Sequence, residues 1–224
     1  MQYRKEQKFI ISKREFDRIK VQLDLLMKPD ENAKDGEYLV RSLYFDTVND
    51  HDLLTSLSGV MHKSKLRLRV YPPKMDEIKL ELKEKVGYDG LKTSVSISRE
   101  QAEELMKSQY SFLLKYESEA AKKIYLHLAS RPFFPKVVVE YKRIVLKHPV
   151  SNTRVTYDYD AMATRAYKTF FDEDVLGSRV HDKAIGVLEV KYDNFLLSTI
   201  KQTLEGVDEL RTANSKYANA RLIF

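Results

Sequence analysis

Charged side chains recur at every second residue in several short segments of this chain, and that spacing is what most limits how it can fold. In an extended strand, residues i, i+2 and i+4 share a face. Lys65-x-Arg67-x-Arg69 therefore sets three cations on one face, with Leu66, Leu68 and Val70 on the other. Lys79-x-Glu81-x-Lys83-x-Lys85 does the same, backed by Ile78, Leu80, Leu82 and Val86. Arg4-x-Glu6-x-Lys8, Arg154-x-Thr156-x-Asp158 and Val187-x-Glu189-x-Lys191 continue the pattern, and Tyr141-x-Arg143 shares the parity of Val137 and Val139. One face of an antiparallel sheet commonly meets water, and on a single strand such charges are ordinary surface. Solvated faces, however, usually carry many Ser, Thr and Gln, whereas these strands carry Lys, Arg and Glu. The alternative is a sheet curled around a polar interior, whose charges must be paired or met by a ligand because isolated buried charge is costly.

The strands expected are Tyr3–Ile11, Tyr38–Phe45, Lys65–Tyr71, Glu77–Val86, Leu91–Ile97, Lys136–Leu146, Thr153–Tyr159 and Val187–Tyr192. Gly87-Tyr88-Asp89-Gly90 reads as a hairpin turn between two of them. Helices are expected where capping signals precede apolar residues at helical spacing. Ser12 with Glu15 opens one, carrying Phe16, Ile19, Leu23 and Leu26 and ending near Pro29. Ser98 with Gln101 opens a second, a third covers about Glu117 to Ser130 and stops before Arg131-Pro132, and Ser198 caps a fourth that Gly206 ends. Strands with short connections, not alternating with helices, indicate an α+β antiparallel architecture. With no repeat, low-complexity tract or linker, the expectation is one domain over residues 1–224.

Composition narrows the chemistry. Hydrophobic residues are 43% of 224, enough for a real core, and 39 Lys+Arg against 33 Asp+Glu leave a net charge of +6. Cysteine is absent, which excludes disulfides, thiolate metal sites and a Cys nucleophile. The five histidines, at 51, 62, 127, 148 and 181, lack metal-ligand spacing. There is no Gly-rich phosphate loop, so any phosphate must be held by side chains. Ser42 and Ser215 lack the setting of a nucleophile and read as strand and helix-cap residues. Leu39 to Phe45 reads as core, and Phe133, Phe134, Phe170 and Phe171 as buried edges. No apolar run is long enough to span a membrane, and MQYRKEQKFIISKREF is charged from residue 4 without a signal-peptide core, so the expected location is cytoplasmic.

An interior rich in Lys and Arg with a few Glu suits a polyanion carrying a divalent cation. Arg offers forked donors to phosphate oxygens, Lys a compact charge, and Glu the hard oxygens that Mg2+ or Mn2+ prefers.

Glu6-x-Lys8, Ser42-Leu43-Tyr44-Phe45-Asp46-Thr47, Lys65-Leu66-Arg67-Leu68-Arg69-x-Tyr71, Glu81-x-Lys83, Tyr141-x-Arg143, Arg154-x-Thr156-x-Asp158, Leu188-Glu189-Val190-Lys191 and Ser215-Lys216-Tyr217 occur in this order. Together they resemble the polyphosphate polymerase domain of the vacuolar transporter chaperone (VTC) family, within the triphosphate tunnel metalloenzymes that include CYTH-type triphosphatases. The likeness runs from about residue 3 to 221. It implies an eight-stranded antiparallel β tunnel, or barrel, with a basic interior and flanking helices. ATP or another nucleoside triphosphate would be held by its phosphates, with Mn2+ or Mg2+, and the γ-phosphoryl group would pass to a growing polyphosphate chain. The phosphate-holding residues so implied are Lys8, Arg67, Arg69, Lys83, Arg143, Arg154 and Lys216; of these, all but Lys8 would act in catalysis. Lys65, Lys92 and Lys191 are further phosphate contacts, Glu81 shares the face, and Glu189, helped by Glu6, would hold the metal. Two positions depart from the family pattern: Ser94 stands where a second basic residue follows Lys92, and Ala213 where some members have a Lys.

Three functions stay open beside polymerase: a triphosphatase acting on nucleoside triphosphate or inorganic triphosphate, a non-catalytic polyphosphate-binding module, and nucleic-acid binding. The last is not expected, because aromatic residues do not interleave the basic motifs. Inorganic polyphosphate or pyrophosphate is the implied partner besides the nucleotide. Relatives with membrane segments extend the implication to a membrane-protein partner, which would place the chain at the cytoplasmic face of a membrane.

Overall fold

All eight strands expected from the alternation are present, with ends displaced by a few residues. This computed structural model describes residues 4–33, 36–87, 89–205, 207 and 214–224, the side chains of Arg4 and Asp89 excepted. In chain order the elements are β1 (Arg4–Ser12), α1 (Lys13–Leu26), β2 (Lys28–Pro29), β3 (Glu37–Thr47), α2 (His51–Leu57), β4 (His62–Tyr71), β5 (Lys74–Val86) and β6 (Asp89–Ile97). Then follow α3 (Arg99–Met106), α4 (Glu119–Ser130), β7 (Phe133–His148), β8 (Thr153–Thr164), β9 (Ser178–Arg179), β10 (Ile185–Asp193), α5 (Ser198–Leu204) and α6 (Lys216–Arg221). The class is the α+β one expected; the two-residue strands β2 and β9 were not foreseen.

Side-chain capping fixes the starts of three of the six described α-helices, α1, α3 and α6. Ser12 Oγ accepts from the Glu15 N–H at 3.1 Å, and Phe16, Ile19 and Leu23 of α1 are buried; Leu26, at 36% exposure, has turned off that face. At α3 the capping box is complete, Ser98 and Gln101 each accepting from the other's backbone N–H. At α5 the expected cap is corrected: Ser198 lies inside the helix and Leu197 takes the cap position without a side-chain bond. Burial of Ile200 and Leu204 sets the phase of that helix more strongly than the hydroxyl does. The expected stop at Gly206, together with Tyr3, Tyr88 and Ala213, lies outside the described residues.

The chain divides into two compact units. The first comprises Met1–Leu39, Tyr141–Met162 and Arg179–Asn214. Its strands run β1-β10-β8-β7, with antiparallel ladders joining β1 to β10 and β10 to β8. Phe9, Ile11, Phe16, Leu23, Val155 and Leu188 are among its buried core. Gly186 is part of that packing: a Cβ there would overlap the Tyr157 ring, which itself stacks on Phe16 with centroids 4.1 Å apart.

The second unit comprises Val40–Glu140, Ala163–Ser178 and Ser215–Phe224. Its strands run β7-β3-β4-β5-β6, and the ladders from β3 to β6 are antiparallel. Leu66, Leu68, Val70, Ile78, Leu80 and Leu82 bury their side chains with Leu105, Leu113, Ile124 and Leu128 from the helical segments. From Lys63 to Arg69 of β4 and from Lys79 to Lys85 of β5, the odd-numbered residues are thereby committed to the opposite, charged face, whereas beyond the register shift after Arg69 Met75 packs against the core. Val86 pairs with Asp89, so the β5–β6 link is as tight as expected, and Gly87 supplies its positive φ of 60°. Val40 to Phe45 are buried as the apolar run implied, and among them Arg41 is fully buried. Its charge is met by Glu140 at 2.6 Å and by the backbone carbonyls of Phe170, Asp172 and Glu173. Phe133 and Phe170 are buried as expected, whereas Phe134 is 39% exposed. Among the described residues no helix is long and apolar enough to cross a membrane.

Candidate functional site

Each unit carries one charged sheet face. In the first unit, register alternates acid with base: Glu6 lies opposite Lys191 and Lys8 opposite Glu189. Lys8 Nζ is 2.9 Å from Glu6 and 3.7 Å from Glu189, and Lys191 Nζ is 2.9 Å from Glu189. Burial alone would lower the Lys8 ammonium; Glu189 and Glu6 outweigh it and raise its pKa above the ordinary lysine value. Arg143 grips Asp158 with two bonds, Nε to Oδ1 at 2.6 Å and Nη2 to Oδ2 at 2.8 Å, and Nη2 also donates to the Tyr141 hydroxyl at 3.3 Å. Burial opposes that cation, and the Asp158 charge more than restores it. Arg154 lies opposite Lys191 and donates to the Tyr38 hydroxyl at 3.3 Å. Thr156, opposite Glu189, keeps a buried Oγ1 without a hydrogen-bond partner.

The second unit's face is built differently. Arg67, Arg69 and Lys92 converge on one buried carboxylate, Glu81. Arg67 donates from Nε to Oε2 at 2.8 Å, Lys92 donates to Oε1 at 2.9 Å, and Arg69 Nη1 stands 3.6 Å from Oε2. Burial alone would raise the Glu81 carboxyl; the Arg67 and Arg69 guanidinium groups, with Lys92, hold it well below the usual carboxylate range. Arg67 Nη1 also donates to the Tyr44 hydroxyl at 3.1 Å. Burial would raise that phenol too, but Arg67, Arg69 and Lys216 lower it. Lys83 is exposed and lies between Lys65 on β4 and Lys92 on β6. Lys65 donates to Ser215 Oγ at 2.9 Å, and Ser215 caps α6, whose first residue is Lys216.

Among the described residues, the buried Arg69 Nε and Ser42 Oγ on this face have no hydrogen-bond partner, and their residues lie opposite each other on β4 and β3. An orphaned guanidinium donor beside an orphaned hydroxyl fits a phosphate oxygen, which both can donate to.

Tyr44, Tyr141, Asp158, Asp46 and Tyr217 all lie within the quoted motifs, but their spacing alone gives none of them a role. Asp46 is the most heavily used. Its carboxylate accepts the backbone N–H groups of Thr47, Asp52 and Leu53, and the Tyr217 hydroxyl. It thereby fixes the start of α2 and ties down α6, which carries Lys216. The parity that places Asp158 among the charged residues of its strand was a signal available for it.

Among the described residues, no cluster of three His, Asp or Glu could hold a metal unaided. Glu189 and Glu6 form a smaller set, two carboxylates set diagonally across β1 and β10, with Lys8 and Lys191 each within ion-pair distance of both. That set fits an ion such as Mg2+ or Mn2+, which is often bound by one or two carboxylates plus substrate phosphates.

The fold has relatives of known structure. One is a putative adenylate cyclase from Bacillus halodurans, 15% identical, with 96% of this chain and 94% of that one covered and a TM-score of 0.56. Another is a putative adenylyl cyclase from Hippeastrum, described as showing a dominant triphosphatase activity; it is 16% identical, with 99% and 96% covered and a TM-score of 0.57. These likenesses show the fold, which the chain shares with both proteins. No curated protein matches the sequence. The VTC domain family matches residues 3–224, and the chain belongs to that family.

Proposed function

We propose that this protein is a metal-dependent polyphosphate polymerase that transfers the γ-phosphoryl group of ATP to the end of a polyphosphate chain. The observation that carries this is the state of the carboxylates on the charged faces. Glu81 is held ionised by Arg67, Arg69 and Lys92, and Asp158 is gripped at both oxygens by Arg143. Such groups neutralise and position charge; they are poor proton acceptors. No histidine stands among the motif residues of either face. A site without an evident base suits an acceptor that is already anionic, the terminal phosphate of a chain.

Phosphoryl transfer demands mainly alignment and charge neutralisation. The terminal phosphate oxygen of the chain attacks the γ-phosphorus, the bond to the bridging β,γ-oxygen breaks, and ADP leaves with that oxygen. On the second unit's face Arg67, Arg69, Lys83 and Lys216 would bind phosphate oxygens and offset their charge, and on the first unit's face Lys8, Arg143 and Arg154 would do the same. Lys65, Lys92 and Lys191 add to the same field. A divalent metal, when bound, supplies a Lewis acid at phosphate oxygens, and Glu189 and Glu6 would hold it.

The second reading, a triphosphatase, is favoured by the Hippeastrum relative's described activity. One experiment separates the two. Purified protein is incubated with ATP and Mn2+, with and without pyrophosphate as primer, beside Glu189→Gln and Arg67→Ala. Long chains on a gel that vanish in both variants support polymerase, whereas free phosphate without chains makes the protein a triphosphatase. If neither product forms while ATP or polyphosphate still binds, the enzyme reading falls and a binding module remains. A membrane-protein partner and a site at the cytoplasmic face of a membrane belong to the same proposal, supported by the family's membrane-bearing members alone.

A further inference from the structure

The two charged faces differ in how their cross-strand pairs are charged. On β1 and β10 the pairs Glu6–Lys191 and Lys8–Glu189 are of opposite sign. On β4 and β5, Lys65 faces Lys83 and, one two-residue step further, Lys63 faces Lys85. Like charges placed directly opposite oppose strand pairing. The Lys65–Lys83 pair belongs to the phosphate-holding set already described; Lys63 and Lys85 do not.

Neither Lys63 nor Lys85 has an ion-pair or hydrogen-bond partner among the described residues. Both share the parity of Arg67, Arg69 and Glu81, so they lie on the charged face and not on the helix-covered one. At about 3.4 Å of rise per residue, this pair lies about 7 Å beyond Lys65 and Lys83, and about 14 Å beyond Arg67 and Glu81. A triphosphate centred on Arg67 and Arg69 ends before that row, whereas a longer chain crosses it.

We infer that Lys63 and Lys85 form a subsite for the distal part of a polyphosphate chain, contacted only by polyanions longer than a triphosphate. The inference rests on the phosphate-binding reading above and adds to it the end of the β4–β5 hairpin along which the polymer lies. The two lysines tolerate their juxtaposition because successive phosphates of one chain neutralise both. Two lysines contacting phosphate contribute about two to the slope of log affinity against log salt.

The test compares the full chain with Lys63→Ser/Lys85→Ser and with a control, Lys107→Ser/Lys115→Ser, which removes the same charge from exposed positions outside these strands. Probes are tripolyphosphate, a defined polyphosphate several times longer, and a single-stranded oligonucleotide of matched charge, each titrated at two salt concentrations. For Lys63→Ser/Lys85→Ser, long-chain affinity is expected to fall about tenfold, with the salt slope lower by about two, while tripolyphosphate affinity stays within about twofold. The control double variant should bind every probe as the parent does.

Equal losses for the short and long phosphates would reduce the two lysines to a diffuse field and overturn the subsite, as would no change in either. An oligonucleotide that binds as tightly as polyphosphate and loses as much would make the row a nucleic-acid contact instead. A parent protein that binds neither phosphate would instead bring down the underlying phosphate-binding reading, a failure distinct from loss of the subsite alone. Stability gives a separate readout: Lys85→Glu converts the like-charge pair into an opposite-charge one and should raise Tm without ligand, while reducing the rise in Tm caused by long polyphosphate.

Discussion

Tyr217 and Asp46, 171 residues apart in the chain, meet through a buried hydrogen bond of 2.5 Å from the tyrosine hydroxyl to Oδ2. The same hydroxyl accepts from Arg221 Nη1 at 3.0 Å, and Arg221 in turn grips Asp50 with two bonds. One carboxylate and one phenol thus join β3, the start of α2 and the helix that carries Lys216. Tyr217→Phe removes the bond and leaves Asp46 short of one donor. It should cost about 2 kcal/mol of stability in urea unfolding, the usual scale for a hydrogen bond to a charged group. Triphosphate affinity should fall with it, because Lys216 is the adjoining residue.

Glu81 is the carboxylate on which Arg67, Arg69 and Lys92 converge. Glu81→Gln should destabilise the ligand-free protein by on the order of 3 kcal/mol, since the buried Arg69 and the part-buried Arg67 lose their counter-charge. Tripolyphosphate should restore more stability to the variant than to the parent, measurable as the difference in Tm shift. In the parent, a carboxyl held below its unfolded value stabilises the fold above about pH 4, and that contribution is lost only as pH falls far below the usual carboxylate range.

Asp52 behaves in the opposite sense. Burial pushes its carboxyl up to about 7, against the bond it accepts from Ser64 at 2.8 Å, and Oδ2 has no partner. The folded state therefore holds the proton more tightly than the unfolded one, so stability declines as pH rises from about 4 through about 7. Asp52→Asn removes this dependence. The difference in Tm between variant and parent should move in the variant's favour from pH 4 to pH 8, and a difference flat across that range would refute the assignment.

Arg67 donates to both Glu81 and the Tyr44 hydroxyl from separate nitrogens. A lysine cannot span both acceptors with the same fixed fork. Arg67→Lys, although it conserves charge, should weaken tripolyphosphate binding about tenfold, equivalent to about 1.4 kcal/mol, which calorimetric titration would show.

Much of this was legible in the sequence because a period of two residues needs no knowledge of partners. Lys65, Arg67 and Arg69 declare a common face by spacing alone, and Ser12 and Ser98 declare helix starts through hydroxyls that local N–H groups use. What spacing cannot give is register. Arg67 finds Glu81 across a hairpin and Arg143 finds Asp158 across another turn, so their pairing depends on which residues come opposite. Asp46 met Tyr217 only through the fold. Helix α2 was missed because Asp50, at its start, has a positive φ of 53° and makes no side-chain cap bond, so the usual signal was lacking. Arg41 sat inside an apolar run, and nothing nearby announced that Glu140 and three carbonyls some 130 residues away would accept its charge.

The surplus of cations in the second unit has a practical consequence. Arg69 Nε and Ser42 Oγ lie buried with bonds unmade, and Lys63 and Lys85 face each other without a counter-charge. A surface in that condition scavenges anions from whatever solution it meets. If the proposed phosphate-binding reading holds, protein drawn from a cell extract should arrive already carrying phosphate, nucleotide or polymer, and sulfate or phosphate buffers should compete with the probes rather than act as inert media. Intact-mass and phosphorus analysis of the freshly isolated protein therefore comes before any affinity assigned to it.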